Sequence, residues 1–338
     1  MLLRSGRVLV ACVLCNLARP LFAVQLPIPP SAPQIPVTET IHGVSITDNF
    51  RWLEDQNSPH TRAWIRAEQK YTAAFFASFS NRSQIRASLD KMERVESVSV
   101  PYVANGRYFF TRRLASEEQA SLLVHTGRDS REEVLVNPNT LFPDHSVSVS
   151  IADVSRDGTI LAYHFRKGGQ DETEIHFLDK GAKKDLPDIL PSALYFVLPR
   201  YAFAPGKTSF YYARFSMAGT RVYRHDFGNP VSKDQEIFGS GYGPDYGSTC
   251  GITSTAKYLF CEASKGASSV EADLYIQRQG EKMLRPLAQH MPLILGVAPY
   301  RDHLFVFTRW QAPHGRVLDI DLDRPASGNW KEVIHEAE

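Results

Sequence analysis

Four cysteines and eleven histidines are the residues best suited to nucleophilic or metal chemistry, and their spacing decides what they can do. No two histidines lie within five residues of each other and HExxH is absent, so no local zinc motif exists. Cys250 and Cys261 flank GITSTAKYLF, and a turn pairing Ser254 with Lys257 sets the two cysteines opposite each other. In an exported protein that register allows a disulfide, and two half-buried free thiols are the alternative. A G-x-S-x-G nucleophile elbow is missing. The glycine-rich GSGYGPDYG, Gly239 to Gly247, lacks the GKS or GKT ending of a phosphate loop and reads as a connection rich in turn formers. Asp157-Gly158 is hairpin-turn chemistry, and Asp171 lies in a polar loop with Gly168, Gly169, Gln170 and Glu172. Carboxylates that pair only in space stay open. No cofactor or metal pattern emerges, and the residues alone describe a scaffold without a visible active centre.

The elements that would position any site fall into four zones. MLLRSGRVLVACVLCNLARPLFA carries Arg4 and Arg7 ahead of an apolar run from Val8 to Leu17, the pattern of a secretory signal peptide over residues 1–23. Cys12 and Cys15 would leave with it, so their CxxC spacing is not read as redox chemistry. Residues 24–35 are proline-rich and read as an extended linker. Residues 36–97 read as helical: Ser58-Pro59 is a helix start, and Trp64, Tyr71, Phe75 and Phe79 fall on one face. Ile85, Leu89, Met92 and Val95 repeat the pattern in a second helix, and the two stripes are large for helices with no third to cover them.

From 98 to 338 the period changes to short β-runs split by turns. Five strand–turn–strand segments begin at Val103, Val154, Phe203, Ile252 and Val297, separated by 51, 49, 49 and 45 residues. Each is followed by a third run, and EEVLV, QEIF and WKEVI supply fourth runs. Four strands per unit at this period is the arithmetic of a β-propeller, because one small twisted sheet cannot bury both faces alone. The expected fold class is mainly β: about five blades of an incomplete propeller after a short helical segment. Lys plus Arg (38) balances Asp plus Glu (37), which excludes an electrostatic case for nucleic acid. Beyond the leader no apolar run is long enough to span a bilayer.

IHGVSITDNFRWLEDQNSPHTRAWIRAEQKYT resembles the N-terminal segment of the prolyl oligopeptidase family of serine peptidases. His42, Gly43, Asp48, Phe50, Arg51, Trp52, Leu53, Glu54 and Asp55 match the family pattern there. YFFTRR, NPNTLFPDHSVSVS, VSRDGTILAY, KDLPDIL and DIDLDRPASGNWKEVI extend the resemblance from about Pro36 to the end.

The resemblance implies a seven-bladed propeller over an α/β-hydrolase domain, of which residues 36–97 are a detached piece. It places the catalytic Ser, Asp and His in chain that follows the last blade, so none is carried over to this sequence. Tyr195 and Phe238 correspond to places where the family sets propeller side chains near substrate; ordinary blade core is their other reading. The implied partner is a C-terminal hydrolase domain, in the same chain or a separate one, and the implied substrates of the intact enzyme are short proline-containing peptides. The expectation is an exported protein, periplasmic or secreted, that is inactive by itself. A stand-alone exported propeller binding a peptide or protein is the rival reading. On the first reading Trp52 and the Trp64/Tyr71/Phe75 face should be unusually exposed.

Overall fold

The computed structural model describes residues 28–336, apart from 128–130, 195–200, 267–269 and the side chains of 293–295. The expected leader and Tyr195 lie outside the described residues. Contacts divide the chain into two compact units between Glu93 and Arg94.

The first unit opens with a hairpin, β1 (Val37–Ile41) against β2 (Val44–Asp48). Its two-residue turn needs positive φ at both positions, and His42 and Gly43 take 50° and 81°. Asp48 then accepts from the Phe50 N–H at 2.8 Å and from Arg51 Nε at 3.1 Å, while Arg51 Nη2 reaches Glu39 at 2.8 Å on the first strand. Trp52 donates its indole N–H to the Pro33 carbonyl at 2.9 Å and packs on His60 with ring centroids 4.3 Å apart. Its own carbonyl accepts from the buried Thr61 hydroxyl. The His-Gly, Asp, Arg and Trp positions of the motif thus form one hydrogen-bonded hairpin-to-helix corner.

Helix α1 (Pro59–Ala77) has proline in its first turn, as read from Ser58-Pro59, but the Ser58 hydroxyl makes no cap bond. The Ser58 N–H instead joins that of Asn57 on the Asp55 carboxylate. Helix α2 (Arg82–Glu93) stops two residues before Val95. Trp52, Trp64, Tyr71 and Phe75 are half-buried, and Phe76, Phe79, Ile85, Leu89 and Met92 are exposed. The reason is local: Trp52 meets Trp64 edge-on and Phe75 meets Phe79, so the rings cover one another in part. No residue of α2 is buried.

The second unit is five antiparallel meanders of four strands. The first blade runs through Arg107–Arg113, Ser121–Thr126 and Glu133–Val136, its inner strand split into Ser97–Val98 and Tyr102–Ala104. Pro101 between the pieces has no N–H for the ladder; Ser99 before it donates its N–H to the Thr111 carbonyl and accepts the Thr111 N–H on its hydroxyl. The second blade is Val147–Val154, Ile160–Lys167, Glu172–Asp179 and Lys184–Leu194; the third is Ala202–Phe203, Ser209–Arg214, Arg221–Asp226 and Gln235–Phe238. The fourth is Tyr246–Ile252, Tyr258–Lys265, Ala272–Arg278 and Arg285–Met291, and the fifth Leu293–Tyr300, His303–Thr308, Arg316–Asp321 and Lys331–Ile334.

Four buried apolar clusters lie one at each joint between successive blades. Among the described residues no cluster or strand pairing joins the fifth blade to the first, so the array is open.

Candidate functional site

Each blade's inner strand turns into its second strand through a short loop, and three of these loops are the same object. The N–H of residue 155, 204 or 253 bonds the carbonyl five residues on, and the N–H three residues on returns to the first carbonyl. The residue three on is left-handed each time: Gly158, Lys207 and Ala256, with φ of 65°, 58° and 66°. Only the first of the three is glycine, and there a Cβ would come within 2.9 Å of the Ala104 carbonyl on the neighbouring blade.

These loops are stitched by contacts that recur at the blade period. Arg107 donates to the Asp157 carbonyl at 2.7 Å, Lys207 to the Asp157 carboxylate at 2.5 Å, and Thr253 to Asp302 at 3.1 Å. The Asp157 carboxyl is held well below the usual range. Burial opposes this, but Lys207, Ser155 and Thr159 outweigh it. Arg156 reaches further, past the third blade, and donates to the Thr253 and Ser254 carbonyls of the fourth at 2.6 Å each.

The inner strands and their loops line a cavity of about 580 Å³, to which all five blades contribute. Its walls include Tyr102, Asp153, Arg156, Tyr201, Phe203, Ser254 and Pro299. Asp153 is there because of a β-bulge. The pairing Ile151↔Tyr163 is followed by Asp153↔Ala162, so one residue is extra at Ala152. Strict alternation would put Asp153 on the Val149 face; the bulge instead returns Val154 to the same cluster as Val149. Asp153 is thereby turned toward the third blade, where it accepts the Phe203 N–H at 2.9 Å. Burial pushes its carboxyl up to about 7, although the Phe203 and Val154 amides and the Arg156 charge act the other way.

Cys250 and Cys261 face each other in the register read from the sequence and are joined, with their Cα atoms 4.1 Å apart. Phe238 is buried between the third and fourth blades against Tyr242 and Tyr275 and is not part of the cavity wall. Asp157 keeps its turn role, and Asp171 is exposed, 3.6 Å from Arg166. The structure brings none of Phe238, Cys250 and Asp171 to the cavity. No group of three or more His, Cys, Asp or Glu side chains that could hold a metal gathers among the described residues. Asp153 and Arg156 went unrecognised in the sequence; the only signal was a lone carboxylate where VSVSIADV should have stayed in alternation.

A family description matches residues 29–338: prolyl oligopeptidase, N-terminal β-propeller domain. The chain belongs to the prolyl oligopeptidase family. A prolyl endopeptidase of Elizabethkingia meningoseptica is 27% identical over 325 residues, which are 91% of this chain and 44% of the relative. Prolyl oligopeptidase A of Amanita bisporigera is 22% identical, over 88% of this chain and 44% of its own length. A structure from a study of inter-domain dynamics in two prolyl endopeptidases superposes with a TM-score of 0.78 at 29% identity, covering 91% of this chain and 46% of that one. Prolyl oligopeptidase B of Galerina marginata, bound to a 35-residue substrate, shares the fold alone, with a TM-score of 0.69 at 16% identity, over 91% of this chain and 47% of its own. The chain therefore spans less than half the length of the prolyl oligopeptidase relatives it matches, and the description it matches is that of the family's N-terminal propeller domain.

Proposed function

We propose that this chain is the substrate-restricting half of a serine endopeptidase that cleaves short peptides after proline, and that a hydrolase domain supplies the nucleophile, base and acid. One observation carries the reading: the similarity runs over nine-tenths of this chain yet stops at 44% of prolyl endopeptidases. The described residues supply an entry cavity and interblade joints, and the sequence holds no serine elbow. A propeller whose axis is narrowed by Arg156 admits a flexible peptide and rejects a folded protein on size alone. The basic, apolar leader and the buried Cys250–Cys261 pair support export to an oxidising compartment.

The test is turnover of a chromogenic proline peptide by the purified chain, alone and mixed with the separately expressed hydrolase part of the Elizabethkingia meningoseptica relative. The expected result is no turnover alone and proline-specific turnover in the mixture, blocked by a serine-directed inhibitor. Inhibitor-sensitive hydrolysis by the chain alone would overturn the division of labour.

A further inference from the structure

The cavity holds a carboxyl, Asp153, that forms no ion pair among the described residues. It is held by backbone amides, those of Phe203 and Val154. Arg156, the charged neighbour on the same loop, has both terminal nitrogens spent on the Thr253 and Ser254 carbonyls. Tyr102 from the first blade faces Asp153 as well, and Tyr201 on the same wall donates its hydroxyl to the Leu194 carbonyl. Tyr102, Tyr201, Phe203 and Phe260 line the same cavity. One carboxylate in a cavity with aromatic walls, and with no second carboxylate among its lining residues, suits an organic cation better than a hard metal ion. The strand spends a bulge to aim Asp153 here, and a carboxylate on the other face would have met only the apolar cluster of the first two blades.

We propose that the cavity binds the free amino terminus of a short peptide, its ammonium held by Asp153 and the Tyr102 ring. The choice of a peptide rests on the reading of the chain as the propeller of a peptidase; the ammonium chemistry rests on the cavity. A cavity of about 580 Å³ takes a ligand of a few residues. Burial holds the carboxyl near neutrality, so its ionisation, and the grip on a cation, grow as pH rises through about 7.

The experiment is calorimetric titration of the full chain with a proline-containing tripeptide and with its N-acetyl form. The free-amine peptide should bind at least tenfold more tightly, with affinity rising from pH 5.5 to 7.5. Asp153→Asn should erase both the preference and the pH dependence. Tyr102→Ala, at an exposed ring on the cavity wall, should weaken the free-amine peptide severalfold and leave the acetylated one unchanged. Equal binding of the two peptides, binding of neither, or a preference that survives Asp153→Asn overturns the site. Hydrolysis by the mixture with the hydrolase part is scored separately, so loss of the peptidase reading and loss of this site are told apart.

Discussion

The third blade is held on its two faces by different physics. Toward the second blade the contact is aromatic, with the Phe177 centroid 5.0 Å from that of Phe210 and 4.8 Å from that of Phe227. At its rim Asp188 of the second blade crosses to accept from His225 Nε2 at 3.1 Å and from the Gly228 N–H at 2.7 Å. The other His225 nitrogen lies 2.7 Å from Asp234, which also takes the Tyr212 hydroxyl. The His225, Asp188 and Asp234 side chains are 1%, 7% and 2% exposed. Toward the fourth blade the cluster is built from Ala213, Val222, Phe238 and Ala263 around the Cys250–Cys261 bridge. That bridge joins two strands of one blade, so it stiffens a wall without crossing the joint. Directional bonds fix which face meets which, and apolar contact adds strength but little direction.

The largest expected effect comes from removing the acceptor that crosses the polar joint. Asp188→Ala leaves the His225 ring nitrogen and the Gly228 N–H without this partner, at a cost on the order of 3 kcal/mol. Urea unfolding measures it, and a loss under 1 kcal/mol would show that this joint, like its neighbour, is held by apolar packing alone. Next, Cys250→Ala with Cys261→Ala should cost about 2–3 kcal/mol, as expected for so short a loop. The same shift should follow reduction of the natural chain. An unfolding midpoint that is insensitive to reductant would refute the assignment of wall stiffness to the bridge.

The smallest effect separates the joints by pH. His164 donates or accepts at Thr173 at 2.8 Å, packs against Tyr201 at the polar joint, and is pushed down to about 4 by burial. An unfolded histidine titrates near 6.5, so between about 6.5 and 4 the unfolded chain binds the extra proton. The contribution of His164 is therefore present above about 6.5 and fades as pH falls toward 4. His164→Gln should flatten the drop in melting temperature over that window, whereas the double cysteine variant should keep it. An undiminished drop in His164→Gln would place the acid sensitivity elsewhere.

Much of this was legible in the chain. The 49-residue spacing of Val154, Phe203 and Ile252 is the spacing of three superimposable turns, since each residue stands one before the turn's first amide. Glycine marks that turn once, and Lys207 and Ala256 adopt the same left-handed conformation, so the repeat was visible in period before it was visible in residue type. Tyr163, His176 and Asp185 recur as Tyr212, His225 and Asp234 at the same spacing, yet the two sets differ in register: His176 pairs with Tyr163, but His225 pairs with Phe210. Spacing alone could not distinguish them, because a shift of two preserves the face of a strand while changing its neighbour.

The sequence by itself determined the blade count within this chain, the turn chemistry and the opposition of Cys250 and Cys261, because each depends on residues fewer than about fifty apart along one alternating backbone. Only the tertiary structure decided that Arg156 bridges to the fourth blade and that Asp153 faces the cavity. The first is a contact 97 residues long, set by how blades curve about an axis. The second follows from one extra residue at Ala152, which reverses the face of everything after it.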